Sequence, residues 1–133
     1  MSMREPKQSS SEFKSKSGLK RILSAFAYSA DGFKAAWKKE HAFRQELALV
    51  LVGVVIALLL PIPARDKLVL IGVLVPVLVV ELLNSAIEAI VDRVSLERHE
   101  LSKNAKDFGS AAVLLTLLMA GVVWTVILWP LLS

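Results

Sequence analysis

The sequence contains no cysteine, which excludes a disulfide framework, a thiolate metal site and a thiol nucleophile. It carries no Walker A or GxGxxG run, so any nucleotide is held by something other than a P-loop or a dinucleotide-binding turn. Histidine is scarce, and His41 and His99 stand a whole hairpin apart without ligand spacing; both are read as interface histidines rather than metal ligands. No basic segment followed by a short apolar core and a small-residue cleavage site opens the chain, so no secretory signal is expected. Charge is missing from three long blocks, at 47–64, 68–80 and 108–133.

What fills those blocks decides the class. Apolar residues make up 55% of the 133 and mean hydropathy is +0.59, above the ~45–50% apolar content of soluble domains. An integral membrane protein with one domain of modest size is therefore expected. Of the sixteen Lys and Arg residues, ten precede the first block, two (Arg65 and Lys67) lie in the next gap and four (Arg93, Arg98, Lys103, Lys106) in the last. The positive-inside rule then puts the N-terminus and the second loop in the cytoplasm, and the first loop and C-terminus outside. Topology and anionic headgroups account for the basicity without nucleic acid.

In chain order, residues 1–17 hold six Ser and four Lys or Arg and read as a disordered polar tail. The rest, 18–133, reads as a single membrane domain. From 18 to 39, Leu19, Ile22, Leu23, Phe26, Ala30, Phe33 and Trp37 recur at spacings of three and four, opposite Lys20, Arg21, Lys34, Lys38 and Lys39. That pattern predicts an amphipathic helix in the membrane interface, with Gly32 as a site of bending. Three spans are expected at about 47–63, 68–91 and 109–131. Pro61 and Pro63 make a tight external turn, the run 68–80 feeds the second span without interruption, and Trp124 and Trp129 anchor the outer end of the third.

The second span contradicts its own hydropathy. Glu81, Asn84, Glu88 and Asp92 fall at i, i+3, i+7 and i+11, on one helix face, and every other residue among them except Ser85 is apolar. Counted from Leu68, Glu81 lies ~20 Å in and Glu88 ~30 Å, so the face links hydrocarbon to the cytoplasmic boundary. An ionisable residue inside a span costs ~2.5–3.5 kcal/mol on insertion scales and persists mainly where it has a partner or a task. Hydrogen bonding as structural glue explains one such residue more readily than four in line. Glu40, Glu46 and Asp107 sit at the same level, where flank decoration is the plain alternative. Glu40 and Glu88 could share a divalent cation, and Mg²⁺ typically takes one or two carboxylates together with water and phosphate oxygens. Arg21, Arg93, Arg98, Lys103 and Lys106 offer partners for phosphates, although topology alone also explains them.

A carboxylate just inside the lipid boundary can serve as general base toward a hydroxyl confined there. A carboxylate pair at the wet end can hold Mg²⁺ on a nucleotide, and phosphoryl transfer then needs alignment and charge neutralisation. The layout suits phosphorylation of a lipid alcohol by a soluble donor.

The stretch Glu-Leu-Leu-Asn-Ser-Ala-Ile-Glu-Ala-Ile-Val-Asp at 81–92 resembles the signature of the prokaryotic integral-membrane diacylglycerol kinases. Flanking pieces agree: Ala27-Tyr28-Ser29, Ala35-Ala36-Trp37, Ala42-Phe43-Arg44-Gln45-Glu46, His99-Glu100-Leu101-Ser102, and 105–113 from Ala105-Lys106-Asp107-Phe108-Gly109 through Ser110 to Val113. The resemblance implies an all-α homotrimer of three-span subunits in the bacterial inner membrane, each with an N-terminal surface helix, and composite, cytoplasm-facing active sites. It implies that the γ-phosphate of ATP passes to the primary hydroxyl of diacylglycerol, giving phosphatidic acid and ADP, with Mg²⁺ as cofactor. Carried over, Glu81 is the general base and Glu40 and Glu88 the carboxylates on Mg²⁺. Arg21, Tyr28, Glu40, Glu88, Glu97, Arg98, His99, Lys106 and Asp107 contact ATP. The lipid lies along Ala25 to Ala30, Lys34 to Trp37, Glu46, Glu81, Ser110 and Trp124, and Asn84 and Asp92 support that face. Asp31 departs from the family pattern, within the segment implied for lipid contact. A related branch phosphorylates undecaprenol and shares the signature, but the blocks at 43–46 and 105–112 look more like the diacylglycerol branch.

Two other classes use some of these residues. A small proton-coupled exporter would employ Glu81 but leaves Glu40, Glu88, Lys106 and Asp107 without a role. A structural or pore-forming oligomer would line a water path with the polar face and show no nucleotide dependence.

Overall fold

The computed structural model describes residues 18–133, so the tail expected at 1–17 lies outside the described residues. The described residues fall into two units, the first ending at Ala35 and the second comprising Ala36–Ser133. The first holds most of helix α1 (Gly18–Lys39), which forms over the range its periodicity predicts and continues through Gly32. Within it Arg21, Ala25 and Tyr28 follow at i, i+4 and i+7 and so share a face, while Ala30 and Lys34 share another.

The second unit contains α2 (His41–Leu59), α3 (Ala64–Gly72), α4 (Val75–Val94) and α5 (Glu100–Leu132). No strand occurs among the described residues, and His41–Leu59, Ala64–Val94 and Glu100–Leu132 are long and apolar enough to cross a membrane. Pro61 and Pro63 supply the turn after α2, whose helix ends at Leu59, before the expected limit of 63. Lys67 reaches back to donate from Nζ to the Leu58 carbonyl at 2.7 Å, covering one of the carbonyls that a helix C-terminus leaves without a partner.

The second crossing corrects an expectation. Rather than one uninterrupted helix from Leu68, it is two, because the run 68–80 contains Gly72 and Pro76. Pro76 opens α4, where its missing N–H costs nothing and its fixed φ suits a first turn. Across the break the Leu74 amide bonds to Ile71 O at 3.0 Å instead of continuing the regular ladder to Leu70. The Leu70 carbonyl takes its proton from elsewhere: Trp124 Nε1 on α5 donates to it at 3.1 Å. In an apolar environment such a substitute partner is what makes a broken helix tolerable. Trp124, expected as an interface anchor, is half-buried at this bond, whereas Trp129 is exposed as an anchor should be.

The core is small and lies where the three crossings meet. Val50, Leu74, Val77 and Ala120 are buried together, with Leu117 and Trp124 against them. Gly53 on α2 permits the approach, since a β-carbon there would stand 2.7 Å from Leu74 Cδ1 and 3.4 Å from the Trp124 ring. The closest packing in the unit is between α4 and α5. Most large apolar side chains face outward, among them Leu59, Leu68, Leu115 and Val126, a pattern suited to lipid or neighbouring subunits rather than water.

The polar gap after α4 is shorter than the sequence indicates. It comprises five residues, 95–99, after which α5 runs nine residues (~14 Å) before the expected start of the third span at 109. Ser95 Oγ accepts from the Glu97 amide at 3.0 Å, and His99 caps α5 by accepting the Leu101 amide on Nδ1 at 3.1 Å.

Candidate active site on the second crossing

The site is built on α4, just beyond the apolar core. One turn after Val77, the Glu81 side chain is held almost out of solvent at 4% exposure, and Asn84, a turn further, at 8%. Both lie on the face that packs against neighbouring helices, as their i, i+3 spacing requires. Glu88 is half-buried and accepts from Asn84 Nδ2 through Oε1 at 3.4 Å; Asp92 is exposed at the end of the same face. The order of burial along Glu81, Asn84, Glu88 and Asp92 reproduces the passage from dry to wet that the sequence implies.

Further carboxylates converge from other elements. Glu40, the extended residue between α1 and α2, and Glu88 both lie near enough to Glu81 to act on it electrostatically, and so does Glu46 on α2. Glu46 is half-buried rather than a flank residue in water. Among the described residues none of these four makes an ion pair with Lys or Arg. Among the described residues, three buried side-chain atoms have no hydrogen-bond partner: Glu46 Oε2, Asn84 Oδ1 and Ser85 Oγ. Uncompensated polar groups of this kind are costly in a folding core and are common where a polar ligand completes them.

Arg44, whose role is not visible in the sequence, fixes the corner that carries Glu40. Its Nη1 donates to the Trp37 carbonyl at 2.6 Å and to that of Lys38 at 3.4 Å, tying the end of α1 to the first turn of α2. His41 Nδ1 lies 3.3 Å from Arg44 Nη2 and its Nε2 lies 3.2 Å from Gln45 Nε2; the neutral ring accepts from one of these two donors at a time.

Beyond Asp92 a cleft of about 620 Å³ opens between the end of α4, the 95–99 loop and the start of α5. Glu97, Arg98, His99, Lys106 and Asp107 line it, so five of the positions implied for nucleotide contact are gathered in one place. Lys106 Nζ spans the two helices to Asp92 Oδ1 at 2.7 Å, while Asp107 pairs with Lys103 one turn away on α5. Lys103, in the sequence only one of several general partners for phosphate, is thus a cleft residue.

Not every expected position joins this group. Ser110 is exposed on α5, one turn past Lys106. Trp124 belongs to the apolar cluster with Val77 and Leu74 and is engaged with Leu70. Trp37 is exposed and contributes its carbonyl to Arg44. Arg21, Ala25, Tyr28, Ala30 and Lys34 lie on α1 in the first unit. Gly109 belongs to the block at 105–113, but its role is not visible in the sequence: a β-carbon there would collide with the Asn84 amide.

The donor set suits a hard cation held jointly with phosphate. Glu40 and Glu88 offer carboxylate oxygens with no cationic partner, and among the described residues no three His, Asp or Glu side chains are grouped to hold a metal alone.

Comparison with known proteins identifies the family. The family model described as prokaryotic diacylglycerol kinase matches residues 27–128. The chain belongs to the prokaryotic diacylglycerol kinase family. It is 54% identical over 120 residues to the diacylglycerol kinase of Pseudomonas aeruginosa, covering 90% of this chain and 98% of that one. It is 51% identical over 112 residues to that of Escherichia coli K12 (84% and 92% covered), and 41% identical over 112 residues to that of Haemophilus influenzae (84% and 95% covered). The resemblance drawn from 81–92 and its flanking blocks therefore holds. A diacylglycerol kinase of this family calls for a lipid and a nucleotide, and the dry and wet ends of the α4 face offer one environment for each.

Proposed function

We propose that this protein transfers the γ-phosphate of ATP to the primary hydroxyl of diacylglycerol, giving phosphatidic acid and ADP, at the cytoplasmic face of a bacterial inner membrane. One observation carries the reading: a buried carboxylate, Glu81, stands just beyond the apolar core, near Glu40, Glu46 and Glu88, which have no ion-pair partner among the described residues, and ~15 Å further along the same helix a charged cleft opens. A soluble hydrolase has no reason to place its base in a membrane-crossing helix. An exporter has no use for the cleft of Glu97, Arg98, Lys106 and Asp107.

Each residue then has a task. Glu81 accepts the proton of the lipid hydroxyl as its oxygen bonds to the γ-phosphorus and the bond to the ADP oxygen breaks. Glu40 and Glu88 would hold Mg²⁺ together with the nucleotide phosphates, and the ion would supply neutralisation of phosphate charge. Lys106, oriented by Asp92, together with Arg98 and Lys103, faces the phosphates in the cleft. Asn84 supports the polar face beside Glu81 through its bond to Glu88, with Glu46 and Ser110 assigned to the lipid at the margins. The family resemblance assigns Arg21 and Tyr28 to nucleotide contact, and Ala25 to Ala30, Lys34 to Trp37 and Trp124 to lipid contact. The unit would work as a homotrimer, whose neighbours complete each site and cover the outward apolar faces.

Glu81→Gln tests the assignment. The amide keeps the shape but cannot take the proton, so turnover with dioleoylglycerol is expected to fall by about 10²–10⁴-fold with ATP affinity largely kept. A parallel loss of ATP affinity would show that Glu81 belongs to the nucleotide site instead.

A further inference from the structure

We propose that Gly109 is a positioning residue for the reaction: by lacking a side chain it seats the Asn84 amide, which in turn holds the Glu88 carboxylate in its metal-ligating orientation. The inference rests on the reading of Glu88 as a Mg²⁺ ligand and extends it to a residue on a different helix.

Gly109 is buried in α5 at the point where that helix meets the polar face of α4. A β-carbon there would collide with Asn84 Oδ1, stand 3.1 Å from Asn84 Cγ and lie 3.6 Å from Asn84 Cβ. The first two contacts are too close and the third is ordinary van der Waals packing, so it is the amide, not the backbone, that depends on glycine. Gly109 has a negative φ and sits within a regular helix, so no backbone conformation demands glycine here. Space for Asn84 is what remains. A small residue at a helix contact in a membrane usually serves close backbone approach; here the room is taken by a polar side chain.

The direction in which the amide is pushed matters because its two ends differ. Nδ2 donates to Glu88 Oε1 at 3.4 Å, a long bond with little margin, while Oδ1 is buried without a donor. A methyl at position 109 would press on the Oδ1 side, where no hydrogen bond resists rotation of the amide, and a rotation that lengthens the 3.4 Å bond loses the Glu88 contact. Glu88 would then keep its charge but lose its orientation, as when a carboxylate loses the outer partner that aims it at a metal.

The test compares Gly109→Ala, Asn84→Ala and the double variant, with Mn²⁺ as probe in place of Mg²⁺. Binding is followed by EPR of the purified protein with a non-hydrolysable ATP analogue and no lipid. Each single variant is expected to weaken Mn²⁺ binding about tenfold, the lower end of losses seen when an outer partner is removed. The double variant should be no weaker than Asn84→Ala, because with the amide gone the added methyl at position 109 meets only the β-carbon at position 84, 3.6 Å away. Multiplied losses, or unaltered binding in Gly109→Ala, would overturn the proposal. Should Gly109→Ala fail to fold, Asn84→Ala must restore folding in the double variant, and failure of that rescue overturns it equally. Glu88→Gln separates the two layers. If it leaves Mn²⁺ binding unaltered, the metal assignment falls, and coupling between positions 84 and 109 is read from thermal unfolding midpoints, where additive effects overturn the seating of Asn84 by Gly109.

Discussion

Glu88 and Lys106 lie close enough to interact electrostatically, yet their removal should leave different kinetic signatures. Glu88 is half-buried, takes a bond from Asn84 and has no cationic partner in ion-pair contact among the described residues. For Glu88→Gln the Mg²⁺ concentration giving half-maximal turnover should rise about tenfold or more, with much of the rate recovered at high Mg²⁺; an unchanged Mg²⁺ requirement contradicts the metal role. Lys106 is bonded to Asp92 at the edge of the cleft, with both side chains substantially exposed. Such a pair contributes at most ~1 kcal/mol to stability. Lys106→Met should therefore leave the unfolding midpoint nearly unchanged and raise KM for ATP about tenfold, as expected for a lost charged contact to phosphate; a stability loss without a KM effect would make Lys106 a strut. At this scale the sequence was informative wherever chemistry conflicts with setting. Glu81 stands out because a carboxylate contradicts the hydropathy around it. Arg44 and Gly109 do not, since a cap on Trp37 and a seat for Asn84 become visible only once helices are paired.

The elements were legible to the extent that hydropathy and helical period decide them. Three apolar blocks became three crossings, and the spacing at 18–39 became a helix. The second crossing departs from its expected form because apolar content says nothing about hydrogen bonds: Gly72 and Pro76 interrupt the ladder without lowering hydropathy. The break is held by the indole of Trp124 on the Leu70 carbonyl. Trp124→Phe keeps a ring against Gly53 and removes the donor, so a loss of ~0.6–1.7 kcal/mol is expected in a reversible detergent-unfolding titration. Wild-type stability in that variant would mean that the carbonyl finds another partner and that the indole bond does not secure the break.

For the whole molecule, one chain buries few large side chains and displays many apolar ones. Lipid or further copies of the chain can cover these, and the proposed homotrimer is the form that a composite site requires. Native mass spectrometry from mild detergent is expected to show three copies, and a monomer that retains full turnover would contradict composite sites. Family membership was legible in the twelve residues at 81–92, whereas the assembly was not, because periodicity records which faces are apolar and not what covers them. Lipid phosphorylation at the Glu81 boundary is the claim on which the other assignments depend. The direct measurement is ADP release by purified protein in detergent with Mg-ATP and, in separate samples, dioleoylglycerol, undecaprenol or no lipid. Release that depends on lipid and is fastest with dioleoylglycerol, with phosphatidic acid formed in equal amount, is the expected result; release faster with undecaprenol, or independent of any lipid alcohol, would contradict it.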